Sequence, residues 1–282
     1  MRTRLLPLLA SLLLVARCLA NPVQINYPVL PTKGDPQLAY MLALLRLACD
    51  KAGEQCQLYS GPAMVQGRAI QEMQRPQGQI DVMWTMTSAE REQRLLPVRI
   101  PLYKGLIGWR VALLRPDRSE LLAKIDTAAA LAKLTAGQEH DWPDTAILQH
   151  AGLPVVTTPD YEPLFSMLLQ RRFDYFPRSV IEVINEQRTH ADLGLVIDRH
   201  ILLRYPAAFY FFVRPQRPEL ARMLTRGLEK AVRDGSFDAL FQQHHGPALR
   251  ALRLDKRRII DLSNPLLPPT TPLQRKELWY RP

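Results

Sequence analysis

Apolar residues at positions 38, 41, 42, 45 and 48 fall on one stripe at helical spacing, and Gly53 closes that helix. Before it, VQINYPVL alternates as a short strand does, and QCQLYSG after it reads as the next strand. A short amphipathic helix over 67–75 leads into QIDVMWTM, a strand apolar enough to be buried on both faces. Strand, helix and strand in alternation predict an α/β unit with a largely parallel sheet.

The pattern then changes. PVRIPLYKGLIGWRVALLRP is rich in β-formers, with Gly105 and Gly108 as bend points, and predicts extended chain. A second α/β region follows: a helix near 121–131, the loop GQEHDWPD, a helix running to Gly152, the strand LPVVTT and the helix YEPLFSMLLQRR. In RRFDYFPRSV a short strand over 173–176 is expected to break at Pro177, with Arg178 presented just past its end. A helix near 180–186 comes next, and RHILLRYPAAFYFFVRP returns as long extended structure. Leu220, Met223, Leu224, Leu228 and Ala231 mark a strong amphipathic helix, followed by DGSFDALFQQHHG. The chain ends in a Pro-rich tail over 251–282 that is expected to pack on the body. There are no internal repeats.

Composition and the chain's first residues add four constraints. With 282 residues, 47% of them hydrophobic, the chain can build one large domain or two modest ones. Its first twenty residues, MRTRLLPLLASLLLVARCLA, carry basic residues and then an apolar run too short to span a bilayer. They close on small residues suited to cleavage after Ala20, so residues 1–20 predict a signal peptide and an exported, periplasmic protein. Arg17 stands where a lipoprotein leader needs a small residue before Cys18. Loss of Arg2, Arg4 and Arg17 lowers the net charge from +10 to +7, and the remaining basic residues are scattered, which argues against nucleic acid as a partner. Cys49 and Cys56 are the pair that survives maturation; in an oxidising compartment they predict a disulfide, two buried free thiols being the alternative.

The order of these elements resembles the type II periplasmic solute-binding proteins, family 3, whose best-known members bind polar amino acids for ABC transporters. Four segments carry the resemblance: the cysteine pair after the first helix, IDVMWTMTSAERE, RRFDYF, and RPELARMLTRGLEKAVRDGSFDALFQQH. It implies an α/β fold of two lobes joined by two crossover segments, near 106–113 and 205–213, with the ligand cleft between the lobes. Lobe 1 would then comprise 21–108 and 209–250, and lobe 2 would comprise 109–208.

The resemblance also places the candidate site. Thr87 and Glu90 fit a capping box that starts a helix, with Arg91 in its first turn. Arginine at that place is implied to grip a ligand carboxylate, and Trp84 and Thr85 close the strand before it. Relatives hold the ligand ammonium with an aspartate where this chain has Arg178 and Ser179, a departure that turns the expectation toward an anionic or acceptor-rich solute. Arg178 can instead pair with a structural acid, Asp141 or Asp144, from GQEHDWPD. Asp141 is expected to cap the helix after that loop. Trp142, Tyr27 and Trp84 can wall a ligand or simply fill the core.

No GxSxG, P-loop, GxGxxG or HExxH occurs, and His244-His245 lacks further ligands at metal spacing, so neither catalysis, metal nor cofactor is expected. The leading expectation is a monomeric solute-binding protein that serves an ABC permease or a membrane sensor. A small dehydratase-like periplasmic enzyme using the same cleft is the alternative from another class. A structural envelope protein with a degenerate cleft is a third.

Overall fold

A computed structural model describes residues 21–29 and 37–281. The leader, and with it the cleavage site after Ala20, lies outside the described residues.

The first part of the chain runs β1 (Val23–Val29), α1 (Leu38–Ala52), β2 (Cys56–Ala63), α2 (Gln66–Gln74), β3 (Val82–Met86), α3 (Ala89–Arg94) and β4 (Leu96–Val98). β1 and β2 pair in parallel, as expected, but the largely parallel sheet does not extend to β3, which pairs antiparallel with Phe209–Val213 in a separate sheet. The disulfide Cys49–Cys56 forms, tying the end of α1 to the start of β2 with a Cα–Cα distance of 6.1 Å. Gly53 between them takes φ +82°, the left-handed value that ends a helix without a Cβ penalty. α3 is capped one residue later than the capping box predicts: Ser88, not Thr87, accepts the Arg91 amide. Thr87 instead donates its hydroxyl to Glu92 at 2.8 Å.

The second part runs β5 (Trp109–Leu114), α4 (Ala128–Leu131), β6 (Ala136–Glu139), α5 (Pro143–His150), β7 (Val155–Thr158), α6 (Pro163–Leu169), β8 (Phe176–Ser179), α7 (Val183–Thr189), β9 (Val196–Ile197) and β10 (Ile201–Arg204). The helix expected over 121–131 shrinks to the single turn α4, capped by Thr127. The strand expected over 173–176 is shifted: β8 begins at Phe176 and continues through Pro177 to Ser179, antiparallel to β5. Proline is tolerated because β8 is the last strand on its side of its sheet, beyond β5. Arg178 is therefore a buried strand residue, opposite Val111, and not the first residue of a loop.

The chain then returns as β11 (Phe209–Val213), α8 (Pro218–Arg233), α9 (Ser236–Ala251) and β12 (Arg258–Asp261). β11 inserts between β3 and β4, antiparallel to both, so chain from either end of the sequence shares one sheet. α8 packs on α1 so closely that a Cβ on Gly227 would stand 1.8 Å from the Ala48 carbonyl oxygen. His245, on α9, is buried edge-on against Tyr40, ring centroids 4.5 Å apart, and burial lowers its pKa to about 4.

The two segments that join these halves lie against each other. The Leu102 amide donates to the Phe209 carbonyl at 2.8 Å, and the Tyr205 amide to the Gly108 carbonyl at 3.0 Å. A Cβ on Gly108 would meet the Tyr205 carbonyl oxygen at 2.2 Å, so the crossing requires glycine there. The tail makes a further passage between the halves. β12 extends β10 in parallel, Asn264 donates to the Pro206 carbonyl at 2.9 Å, and the Tyr280 amide reaches the Lys104 carbonyl at 2.8 Å. Among the described residues no helix is long and apolar enough to cross a membrane.

Candidate functional site

A cleft of about 470 Å³ lies where the two halves face each other, within the size range of small-molecule sites. β3 contributes Met83, Trp84, Thr85 and Met86 from one side; Glu139, Trp142, Tyr161 and Arg178 line the other. β3 is buried along its whole length, which holds these side chains at fixed positions.

Of the residues the sequence nominates, Trp84, Thr85, Trp142 and Arg178 line the cleft, while Tyr27, Arg91 and Ser179 stand outside its lining. Tyr27 is buried and packs behind Trp84, ring centroids 5.9 Å apart. The Ser179 hydroxyl donates to the Leu106 carbonyl at 2.9 Å, facing the crossover segment. Arg91 is buried; its Nη1 donates to Thr85 Oγ1 and to the Met86 carbonyl, each at 2.7 Å. Its Nη2 reaches the Asp141 carbonyl at 3.4 Å, so Arg91 bridges the halves through a backbone oxygen. Burial lowers the Arg91 pKa to about 10, the nearby acids Glu90, Asp144 and Asp141 opposing it.

Arg178 meets neither Asp141 nor Asp144. Asp141 pairs with His140, leaves the N-terminus of α5 without a side-chain cap, and is exposed; Asp144 is taken by Arg110. The partners of Arg178 are Glu186, which accepts from Nε at 2.9 and 2.8 Å and from Nη2 at 2.5 Å, and Glu182, which accepts from Nη2 at 3.2 Å. Both acids sit four and eight residues beyond Arg178, close enough in sequence for α7 to fold them back beneath it. That spacing, Arg-x3-Glu-x3-Glu, is the signal that sequence reading passed over.

The pair extends into a buried network. Glu182 also accepts from Arg110 at 3.4 Å and from Gln37 at 2.6 Å, the latter from the opposite side of the cleft. Arg110 donates to Tyr205 at 3.0 Å and to Asp144, and the Tyr205 hydroxyl donates to Asp144 as well. Two guanidinium groups thus face three carboxylates. Burial works to lower the Arg178 pKa, but Glu186 and Glu182 outweigh it and hold the group well above the ordinary arginine value. The Arg178 guanidinium carbon lies 4.5 Å from the Trp142 ring centroid and 5.4 Å from that of Tyr161. Tyr161 donates its hydroxyl to Glu186 at 2.8 Å, completing the clamp. Nη1 makes no hydrogen bond among the described residues, and Arg178 is one of the residues that line the cleft.

Glu139 lies beyond what the sequence nominated. It ends β6, its carbonyl accepts the Thr145 hydroxyl at 2.9 Å and the Trp142 amide at 3.2 Å, and its side chain lines the cleft. Burial, with Asp141 adding to it, raises its pKa to about 7. Only the tertiary structure reveals it, because nothing in AGQEH marks a glutamate as buried with no hydrogen bond or ion pair to its side chain among the described residues.

No family model and no curated protein sequence matches the chain. Solved structures match it in fold. An ancestral arginine-binding protein bound to arginine superposes with a TM-score of 0.57 at 16% identity, covering 80% of this chain and 98% of its own. A periplasmic His/Glu/Gln/Arg/opine family-binding protein from Silicibacter pomeroyi, in complex with lysine, gives a TM-score of 0.58 at 11% identity, covering 79% of this chain and 97% of its own. An ancestral amino acid-binding protein described as a precursor of cyclohexadienyl dehydratase gives 0.55 at 14%, covering 79% and 95%. The chain has the two-lobe α/β fold of the type II periplasmic solute-binding proteins, and the cleft lies between its lobes.

Proposed function

We propose that this protein is an exported solute-binding protein that closes its two lobes over a small polar solute and presents it to an ABC importer or a membrane sensor. The observation that carries the reading is Arg178: a guanidinium locked in place by two glutamates, with Nη1 donors unspent on the cleft wall. A group held this rigidly loses little entropy when it captures an acceptor. Arg91 and Gln37, which already bond across the cleft to Asp141 and Glu182, supply contacts that favour the closed arrangement.

The expectation of an anionic solute rested on free positive charge at both Arg91 and Arg178. Arg178 is neutralised by Glu182 and Glu186, and the Arg91 donors are largely engaged by Thr85, Met86 and Asp141. What these contacts support is a solute with an acceptor group for Nη1; they give no support to a net negative charge. A dehydratase-like enzyme remains the second reading, favoured by one observation: a cleft carboxyl poised near neutrality, Glu139, has the pKa of a general acid.

A metabolite panel screened by thermal shift tests the proposal, since a solute at about 100 times its Kd adds ~2.7 kcal/mol to stability. Saturable stabilisation by one solute, recovered chemically unchanged, is the expected outcome. Conversion of that solute to a product would move the protein to the enzyme class. Absence of any solute-dependent shift would sink both readings.

A further inference from the structure

The basic residues read as scattered along the sequence, yet their surplus is local. Residues 214–258 hold eleven arginines and lysines against five acids, a surplus of six in a chain that carries +7 without its three leader arginines. α8 presents much of that surplus. Leu220, Met223, Leu224, Leu228 and Ala231 are buried on one side of it, while Arg222, Arg226, Lys230 and Arg233 are exposed. At 3.6 residues per turn these four fall within an arc of about 80° and a length of about 16 Å. Like charges four residues apart oppose helix formation, and interleaved acids ordinarily relieve them. Here the acids of the helix and its end are drawn elsewhere: Glu229 by Arg275 at 2.5 and 2.9 Å, Asp234 by Lys51, and Glu219 by Arg217 at 3.4 Å. Glu54, which shares a surface depression with Arg222 and Arg226, pairs with neither. The four cations of the stripe are therefore without an ion pair among the described residues.

We propose that this face of α8 adsorbs reversibly to an anionic lipid surface. A stable protein interface needs an apolar centre, and the outer face of α8 offers none. The exposed large apolar residues, Tyr59, Val65, Ile259 and Leu273, all lie on other segments. A lipid surface holds a basic stretch by charge alone, roughly fivefold in affinity for each arginine or lysine near it. Four such residues give an attachment that salt reverses. None of the four lines the cleft, so the inference stands whatever the cleft holds. For the exported protein proposed above, adsorption would confine the search for a membrane partner to the membrane plane.

Vesicle sedimentation with the protein as exported tests this. Vesicles of equal parts phosphatidylcholine and phosphatidylglycerol are compared with pure phosphatidylcholine as sodium chloride rises. The variant Arg222→Gln, Arg226→Gln, Lys230→Gln is set against Arg118→Gln, Lys124→Gln, Lys133→Gln, which removes the same charge from exposed positions off α8. The parent should sediment with the mixed vesicles alone and detach as salt rises. The α8 triple should lose about a hundredfold in affinity, and Arg226→Gln by itself about fivefold, while the control triple stays near the parent. No sedimentation of the parent with mixed vesicles at low salt, equal loss in the two triples, or binding that salt does not weaken would each overturn the proposal. So would capture of polyglutamate by a parent that leaves the vesicles unbound, which would make the face a site for an acidic protein.

Discussion

Arg178 shows how one side chain changes meaning once its neighbours are known. Read as a loop residue behind a proline, its replacement would leave folding nearly untouched. In the structure it neutralises Glu182 and Glu186 in a buried site; removing it strands Glu186 without a cation and leaves Glu182 to Arg110 alone. Arg178→Ala should therefore destabilise the protein by about 3–5 kcal/mol. Urea denaturation checks this, and adding Glu186→Gln should recover part of the loss, since one stranded charge is removed. Glu139 makes the opposite contribution. Its folded-state pKa, about 7, lies above the ordinary 4.5, so the folded protein holds a proton that the unfolded chain releases. Stability from this group is complete below pH 4.5 and is lost as pH rises through 7. The difference between Glu139→Gln and parent should grow in favour of the variant across that window, by about 1–3 kcal/mol after allowing for residual water contact. Unfolding midpoints measured across the window read it directly; a flat difference would show that the carboxyl finds a partner.

Among the elements, the α1–β2 connection is tied by Cys49–Cys56. In the chain-entropy view, a loop this short closed by a disulfide contributes about 2–3 kcal/mol. Reduction under native conditions should lower the unfolding free energy by that amount, read as a fall in the denaturation midpoint at unchanged slope. The α1–α8 contact depends on the absence of one side chain. Gly227→Ala would drive a Cβ into the Ala48 backbone and force the helices apart, at an expected cost of about 1–3 kcal/mol in thermal unfolding. β8 carries a different lesson. Pro177 suggested a strand end because proline cannot donate to a ladder, yet on the last strand of its sheet its missing N–H costs little. The helix over 121–131 failed for the converse reason. Its apolar residues, Leu122 and Leu131, are buried by the surrounding fold without the intervening chain being helical.

Over the whole molecule, the tail joins the halves a third time. It leaves one sheet as β12, passes the crossover segments at Asn264, and ends with Tyr280 5.8 Å from the Trp109 ring and Trp279 packed over Gly105. Arg275 fixes it to α8 through both oxygens of Glu229, at 2.5 and 2.9 Å. Trp279→Ala should loosen this strap, and limited proteolysis should then release residues beyond 262 well before the rest of the chain. Equal protease resistance in variant and parent would show that the strap is held without the tryptophan ring.

The sequence by itself marked the α/β alternation, the cysteine pair as a disulfide candidate, two extended segments, the first bent at Gly105 and Gly108, and the amphipathic α8. Each of these is written in local periodicity, in turn chemistry or in the reactivity of cysteine, which act over a few residues. It also nominated Trp84, Thr85, Trp142 and Arg178, all of which reach the cleft wall. Tertiary structure alone decided which charges there are spent and which are free. Asp144 goes to Arg110, Arg178 goes to α7, and Glu139 makes no side-chain hydrogen bond or ion pair among the described residues. The reason is physical: a charge's role depends on the few ångströms around it, and those neighbours come from segments far apart in the chain, whose spacing no local pattern records.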